Sequence, residues 1–485
     1  MSISVYGAIF IPIAFWIFLF RPKYLVPLML VASAFVAAPV LEFSLGDFDL
    51  GIKPYYFAAV LLAIRALPVL LKYPLLKRGL EPSVSRIVGS FVGFWKWALV
   101  SAFVFPVVFK GLQVINPRAV DGDVAAAFAL GGESSPLHWS FENLGQAAYL
   151  TLNLVAVLYV IGSRRSSGRT ADIFGTLRGT IIVVSLIALL QGVVAWEGWS
   201  FPLLFFHSNA AYSSGYDEAI EGLRRVNSTF SEASYAGGFL AAAALGLLAA
   251  RLRGGRVSPF VIALAVIGLI LTTATTGYAA FVVGGILLFL YFARDSLRRR
   301  MTRQLFRKCL YSVLLVAGAA AVLLAADVPL RQAAMESTLG KVDTVSFFAR
   351  VSVDVYSMKL LVSTYGLGAG LGSNRPSSLG AYLLSNVGVV GSVLFVLFVF
   401  RLIVQLSKRA RLAGGSSFAM VMWMLAGILV AQSVALPDLS WPPLWGILIS
   451  AVSLLVSRNE IAPEGVRAGV FVAAQRRLPA SPAAA

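Results

Sequence analysis

Apolar runs of about 20 residues, the length a helix needs to cross a hydrocarbon core, recur along the chain between short polar segments. They predict spanning helices at roughly 4–20, 24–40, 54–71, 87–109, 143–162, 179–200, 234–251, 258–273, 275–294, 309–326, 384–406, 416–438 and 441–457. The pair over 258–294 reads either as two short helices around Thr272–Gly277 or as one broken re-entrant element. The fold class this predicts is an all-α polytopic membrane protein of about 12–14 transmembrane helices, with a large outer loop containing amphipathic helices. Residues 1–457 form the transmembrane unit, with its large outer loop at 327–383. Residues 458–485 end in the low-complexity stretch LPASPAAA and are expected to be a disordered cytoplasmic tail.

The charges fall in a pattern that orients these runs. Arg21–Lys23, Lys72–Arg86, Arg164–Arg178, Arg251–Arg256, Arg294–Lys308, Lys408–Arg411 and the tail after Arg458 are basic, and they occupy every second connection. The intervening segments at 41–53, 110–142, 201–233, 327–383 and 437–442 carry most of the acidic residues. Because basic loops are retained on the cytoplasmic side, the N-terminus is expected outside, the C-terminus inside, and every long loop outside. The first apolar stretch begins beside Met1 without a basic leader, so it reads as a retained span.

Composition agrees with this picture. The chain is 59% hydrophobic and 13% charged, against about 45–50% and about 25% in a soluble domain. Its net charge of +18 would suggest nucleic acid in a soluble protein, but here the cations sit in short loops beside apolar runs, which points to anionic membrane lipids and no nucleic-acid partner. Cys309 is the only cysteine, and His138 and His207 are the only histidines. A disulfide framework and a thiolate metal site are thereby excluded, and neither a histidine-rich metal centre nor a cofactor is expected.

Three polar segments stand out on the outer side. The stretch from Glu221 to Tyr235 brings Arg224, Arg225 and Glu232 to the mouth of the helix at 234–251. Glu232 reads equally as a helix-capping carboxylate and as a chemical group, and the arginine pair as lipid contacts or as substrate contacts. The stretch 346–359 repeats apolar residues at helical spacing around Arg350, Asp354 and Lys359, the pattern of an amphipathic surface helix. Arg350 and Asp354 could form an i,i+4 pair, or Arg350 could present its guanidinium to a diphosphate. The stretch 365–378 alternates glycines (Gly366, Gly368, Gly370, Gly372) ahead of Asn374 and Arg375. No strand–helix unit surrounds these glycines, so they read as a tight turn and not as a nucleotide loop. Asp121 and Asp123 have a metal-carboxylate spacing without further ligands. Arg65 and Lys96 lie within predicted spans, where snorkelling and an interfacial Trp95–Trp97 belt explain them as well as function does.

In this order, the segments resemble the O-antigen ligase and polysaccharide polymerase superfamily. The matching stretches are Arg225 to Ser234, and Gly366 to Gly391 with Ser385-Asn386-Val-Gly388-Val-Val-Gly391 at its end. The specific resemblance spans 220–410, and it lies in the order and topology of the motifs. Ala233 stands where that family often has proline, and Thr275-Thr276-Gly277-Tyr278 replaces its Ser-Arg-Ser. The stretch Ser378–Tyr382 lacks the histidine usual in ligases, which favours a polymerase. The resemblance implies metal-independent glycosyl transfer at the outer leaflet of a bacterial cytoplasmic membrane. The donor would be an undecaprenyl-diphosphate-linked glycan, and a chain-length regulator would be a further partner. Arg225 and Arg350 would stabilise the diphosphate and Glu232 would deprotonate the acceptor hydroxyl, with Arg224, Arg375, Tyr235 and Asn374 binding substrate. A ligase moving finished glycan, or a lipid-linked oligosaccharide flippase, is the competing reading. A flippase should show charges facing a cavity in many spans and internal repeats, which this sequence lacks.

Overall fold

The computed structural model describes residues 2–45, 48–71, 80–115, 134–167, 172–209, 219–220, 223–299, 345–412 and 414–456, with 311, 318, 331–332 and 335 as isolated positions. Glu221, Asp121, Asp123, Cys309, nearly all of the expected 309–326 span and the 458–485 tail lie outside the described residues.

The described chain is built of helices: α1 Val5–Phe20, α2 Leu25–Ala32, α3 Pro54–Leu71, α4 Pro82–Val108, α5 Phe141–Ser167, α6 Ile173–Trp196, α7 Ala233–Leu252, α8 Pro259–Leu271, α9 Thr275–Arg299, α10 Val345–Ser363, α11 Leu379–Ala410, α12 Ser416–Val434 and α13 Pro442–Val456. Their starts follow local chemistry. Ser4, Asp172 and Ser258 accept hydrogen bonds from the backbone N–H groups of Gly7, Gly175 and Phe260, which satisfies donors a helix cannot pair internally. Proline opens α4 and α8, where its missing N–H costs nothing.

Seven of these helices (α4, α5, α6, α7, α9, α11 and α12) are long and apolar enough to cross a membrane by length and composition. The chain is accordingly a multi-pass, all-helical membrane protein. Shorter apolar helices accompany them at Val5–Phe20, Pro22–Ala32, Pro54–Pro68, Pro259–Leu271 and Pro442–Val456. The region 258–294 resolves into the short α8 and the full-length α9, the first of the two sequence readings.

α7 is the central helix, buried on nearly every face. Its sequence explains why: alanine and glycine leave no bulk to hold neighbours away, so backbones approach closely. A Cβ on Gly427 of α12 would lie 2.7 Å from the Cα of Ala242.

Two expectations are corrected. The helix expected over 24–40 stops at Ala32, and residues 33–40 run as buried irregular chain. Non-helical backbone can be buried only where protein satisfies it, and here Val36 and Ala37 N–H both donate to the carbonyl of Thr229, while the Thr229 hydroxyl donates to the carbonyl of Ala34. The expected loop at 41–53 is a hairpin, β2 Leu41–Leu45 with β3 Phe48–Ile52, and β1 Ser2–Ile3 adds an edge. Smaller ladders pair Gln113–Ile115 with Ser134–Pro136 and Ala219–Ile220 with Leu223–Arg224.

The described parts of the basic connections lie at one end of the helices. Arg409 pairs with Glu81 at 2.9 Å and Arg253 with Asp295 at 2.7 Å. The hairpins, α10 and the glycine-rich segment gather at the other end. Arg65 donates to the carbonyl of Phe18 at 2.8 Å and covers its ring, closing the end of α1. Lys96 is exposed on the flank of α4, while Trp95 and Trp97 donate to Thr151 and to the carbonyl of Val387.

Candidate functional site

The approach to α7 is a buried, tightly bonded turn. Gln191, in the middle of apolar α6, accepts the N–H groups of Asn227 (3.0 Å) and Ser228 (2.7 Å) through one amide oxygen. Ser228 donates its hydroxyl to the carbonyl of Val184, and Val226 N–H reaches the carbonyl of Leu271. The His207 ring donates from Nε2 to the carbonyl of Ser228 at 2.8 Å. Burial holds the His207 imidazole down to about 4, so it stays neutral at pH 7. This anchoring presents Arg225 partly buried, within electrostatic reach of Tyr278 at the start of α9, and leaves Arg224 exposed.

Glu232 occupies the N-cap position of α7, yet its side chain makes no cap hydrogen bond. It accepts from the Ser234 hydroxyl at 2.9 Å through Oε2. Among the described residues its other carboxylate oxygen, Oε1, has no hydrogen-bond partner. The capping reading therefore holds for its position and not for its bonding. Tyr235, one turn further, packs on Trp441 with ring centroids 5.6 Å apart, and Trp441 also meets Phe230.

The second group is α10 with the glycine-rich segment that follows it. Ala349, Val353, Ser357, Leu360 and Thr364 form its buried stripe, while Phe348, Val351, Val355 and Val362 are exposed on another face. The segment is helical as expected, and it carries apolar surface on two sides. The expected Arg350–Asp354 pair is not formed among the described residues. Asp354 Oδ1 instead accepts the N–H groups of Ser377 (2.7 Å) and Ser378 (3.3 Å), fastening the helix to the segment beyond the glycines. Arg350 is half-buried and has no hydrogen bond or ion pair to any described residue.

The glycine-rich segment is a folded turn, as read from the sequence. Gly366, Gly368, Gly370 and Gly372 all have positive φ. At Gly370 (φ +111°) a Cβ would lie 2.6 Å from Pro106 Cγ and 2.9 Å from the carbonyl oxygen of Ser101, so only glycine fits against α4. A phosphate-cradling loop needs free N–H groups. Here those of 366–371, 373 and 374 are spent within the protein, on Leu361, Thr364, Ser385, Asn386, Ser101 and Gly370.

Asn374, expected as a substrate contact, is 1% exposed. Its amide donates to Ser357 and Ser385 Oγ at 3.0 Å and its carbonyl accepts Ile115 N–H at 3.0 Å. Those bonds use both of its donors and one of its two acceptor positions, and they knit α10, α11 and the Gln113–Ile115 strand together. Arg375 next to it is exposed, as a substrate-facing group would be. Gly388 (φ 69°, ψ −171°) breaks α11 internally, and the carbonyls just before the break serve the turn: Asn386 accepts Gly370 N–H and Ser385 accepts Ala369 N–H.

The element joining the two groups was not singled out from the sequence. Lys53, 5% exposed at the start of α3, lies 3.8 Å from Asp438 in the turn after α12. Asp438 also accepts from Ser440 N–H and hydroxyl. It is within electrostatic reach of Tyr56 and of Tyr382 near the start of α11. Tyr56 donates to the Ser440 carbonyl at 2.6 Å and stacks on Tyr149 at 4.0 Å. The turn at 436–441 thus touches Tyr235 through Trp441 and faces the glycine-rich side through Asp438. A lone lysine before Pro54 and a lone aspartate in a short outer turn were the available signals, and each alone reads as ordinary loop polarity.

Beside the glycine turn a cavity of about 440 Å³ is lined by residues including His138, Trp139, Phe141, Glu142 and Ser373. The described non-glycine residues with positive φ are Ser228, Thr273, Tyr365 and Leu436. All four lie at this end of the helices and border these segments. Such backbone strain costs of order 1–3 kcal/mol each and concentrates at functional sites.

No protein-family model matches the chain, and no similar curated protein or solved structure was found.

Proposed function

We propose that this protein polymerises undecaprenyl-diphosphate-linked oligosaccharide repeats into exopolysaccharide or O-antigen by metal-independent glycosyl transfer. The reading places about 12–14 spanning helices in a bacterial cytoplasmic membrane, with the N-terminus outside and the C-terminus cytoplasmic. Arg225 and Arg350 stabilise the negative charge that develops on the diphosphate leaving group. Glu232 removes the proton of the acceptor hydroxyl. Arg224 and Arg375 extend the cationic surface toward the donor, Tyr235 lines the sugar side, and a chain-length regulator is a further protein partner.

The observation that carries the proposal is spare bonding capacity at two buried-edge charges. Arg350 is half-buried without a partner among the described residues, and Glu232 keeps one carboxylate oxygen unengaged. A half-buried guanidinium left unpaired is costly, and an anionic ligand removes that cost through bidentate hydrogen bonds. The strained backbone at the same end fits a site and not a scaffold.

The test is polymerisation of a lipid-linked repeat by the purified protein in vesicles, with reporter fusions at 201–209 and 365–378. Chain extension lost in Arg350→Ala and Glu232→Gln, with both fusions outside, is the expected result. Full-length product from either variant, or an inside signal at either fusion, overturns the reading.

A further inference from the structure

The opposite end of α4 and α11 carries a groove that glycosyl transfer does not use. Arg86 of α4 lines a cavity of about 220 Å³ with Phe400, Arg401, Val404 and Lys408 of α11. It continues into a second cavity of about 510 Å³, where Glu81, Arg409 and Leu412 join Arg86 and Lys408. Residues 400, 404 and 408 recur at helical spacing, so one face of α11 forms the floor of the first cavity and reaches the second through Lys408, with Leu412 just beyond the helix end. From 400 to 408 that face runs about 12 Å at 1.5 Å per residue, part of the way into the roughly 30 Å hydrocarbon core.

The character of this floor changes along its length. Phe400, 62% exposed, and Val404 make the deeper wall apolar. Lys408 and Arg409 make the outer wall cationic. Among the described residues lining both cavities, Arg86, Arg401, Lys408 and Arg409 face one carboxylate, Glu81, which is bonded to Arg409 at 2.9 Å. Arg401 is held against the Arg86 carbonyl and the Ser90 hydroxyl. Lys408 has no partner among the described residues, and Arg86 spends only its Nε, on the carbonyl of Pro82. The outer part of the groove is therefore a cationic site with unused donors, beside an apolar wall formed by Phe400 and Val404.

We propose that this groove is a binding site for an anionic phospholipid. Its phosphodiester sits among Arg86, Lys408 and Arg409, and an acyl chain lies along Phe400 and Val404. Guanidinium and ammonium donors suit phosphate oxygens, and basic pockets between membrane helices on the cytoplasmic side suit anionic headgroups. The loop charges put this end on the cytoplasmic face. A soluble anion would use the cationic half alone and leave the apolar wall unexplained. The bound lipid bridges α4 to α11, the helices whose other ends hold the glycine turn through Pro106, Ser101 and Asn386. It thereby stiffens the helix pair on which that turn rests, and the inference stands whether or not the chain transfers glycans.

The full chain would be placed in nanodiscs of phosphatidylcholine alone and of phosphatidylcholine with phosphatidylglycerol. Thermal unfolding would be followed, and lipid retention read by native mass spectrometry. The expected result is a transition raised by several degrees in the anionic discs, with phosphatidylglycerol retained on the protein. Lys408→Gln, at a side chain with no partner among the described residues, should remove much of that rise while leaving the transition in phosphatidylcholine unchanged. Val404→Trp, which obstructs the groove along its apolar wall without altering charge, should reduce retention as well and keeps the test decisive if the charge variant folds poorly. Unchanged retention in both variants overturns the proposal. So does an equal rise on adding inorganic phosphate to phosphatidylcholine discs, which would mark a simple anion site.

Discussion

Lys53 and Asp438, 385 residues apart in the chain, meet 3.8 Å from each other at the end of the helices that also holds Glu232 and the glycine turn. The pair closes the start of α3 onto the turn after α12, and that turn carries Trp441 against Tyr235. Lys53 is buried, whereas Asp438 is a quarter exposed and keeps its bonds from Ser440, so removing Lys53 should cost less than the about 3–5 kcal/mol of a fully buried pair, and replacing both with apolar residues is often near neutral. Lys53→Met alone should therefore lower the unfolding temperature more than Lys53→Met combined with Asp438→Leu. Thermal unfolding of the three proteins in one detergent checks this. A double variant no better than the single would mean that Lys53 acts through another partner.

Arg350 tests the transfer chemistry directly. Loss of one preorganised donor to a developing anion typically slows a reaction by about 10²–10³-fold, so Arg350→Ala should fall in that range. Arg350→Lys should also be impaired, because an ammonium cannot reproduce a bidentate guanidinium contact. Initial rates of chain extension with the two variants at equal protein in the membrane decide between a geometric role and a purely electrostatic one.

His207 predicts a pH dependence with a definite sign. Burial lowers its folded-state value to about 4 from an ordinary 6.5. The unfolded chain then binds the proton more readily, so the stability contribution is complete above pH 6.5 and lost as pH falls toward 4. His207→Gln, which retains an N–H for the Ser228 carbonyl, should flatten the unfolding temperature between those limits. An unchanged slope would assign the acid sensitivity to other groups.

Gly370 probes the seat of the glycine turn. Alanine there meets Pro106 and the Ser101 carbonyl while φ stays at +111°. Left-handed strain of about 1–2 kcal/mol adds to an overpacking cost of about 1–3 kcal/mol. Gly370→Ala should thus lower both the unfolding temperature and the rate of chain extension. Gly380→Ala, at a position where a Cβ meets nothing within 4 Å, is the control that should leave both unchanged.

Much of the helix inventory follows from the residues alone. Runs such as 179–200 and 416–438 have no alternative to a helix, because only internal hydrogen bonding satisfies the backbone in lipid. The glycine turn was legible for a related reason: alternating glycines without a strand–helix frame cannot build a phosphate loop. The hairpin 41–52 was also written in the sequence, as the alternation Leu-Glu-Phe-Ser-Leu before Gly46-Asp47, the signature of a strand entering a turn. It was passed over because short polar connections between spans read by default as loops.

What the sequence could not supply is who satisfies whom. It offered Asp354 to Arg350 by spacing, but packing gave Asp354 to the backbone of Ser377 and Ser378 and left Arg350 unpaired. It offered Asn374 as a ligand group, and burial turned it into a brace. Helix 24–40 ended early because Thr229 supplied partners for buried irregular backbone. Hydropathy is a property of each residue and selects which segments enter the membrane; hydrogen-bond completion between segments hundreds of residues apart depends on packing, so only the tertiary structure decided that Lys53 meets Asp438 and that Gln191 holds the backbone of Asn227 and Ser228.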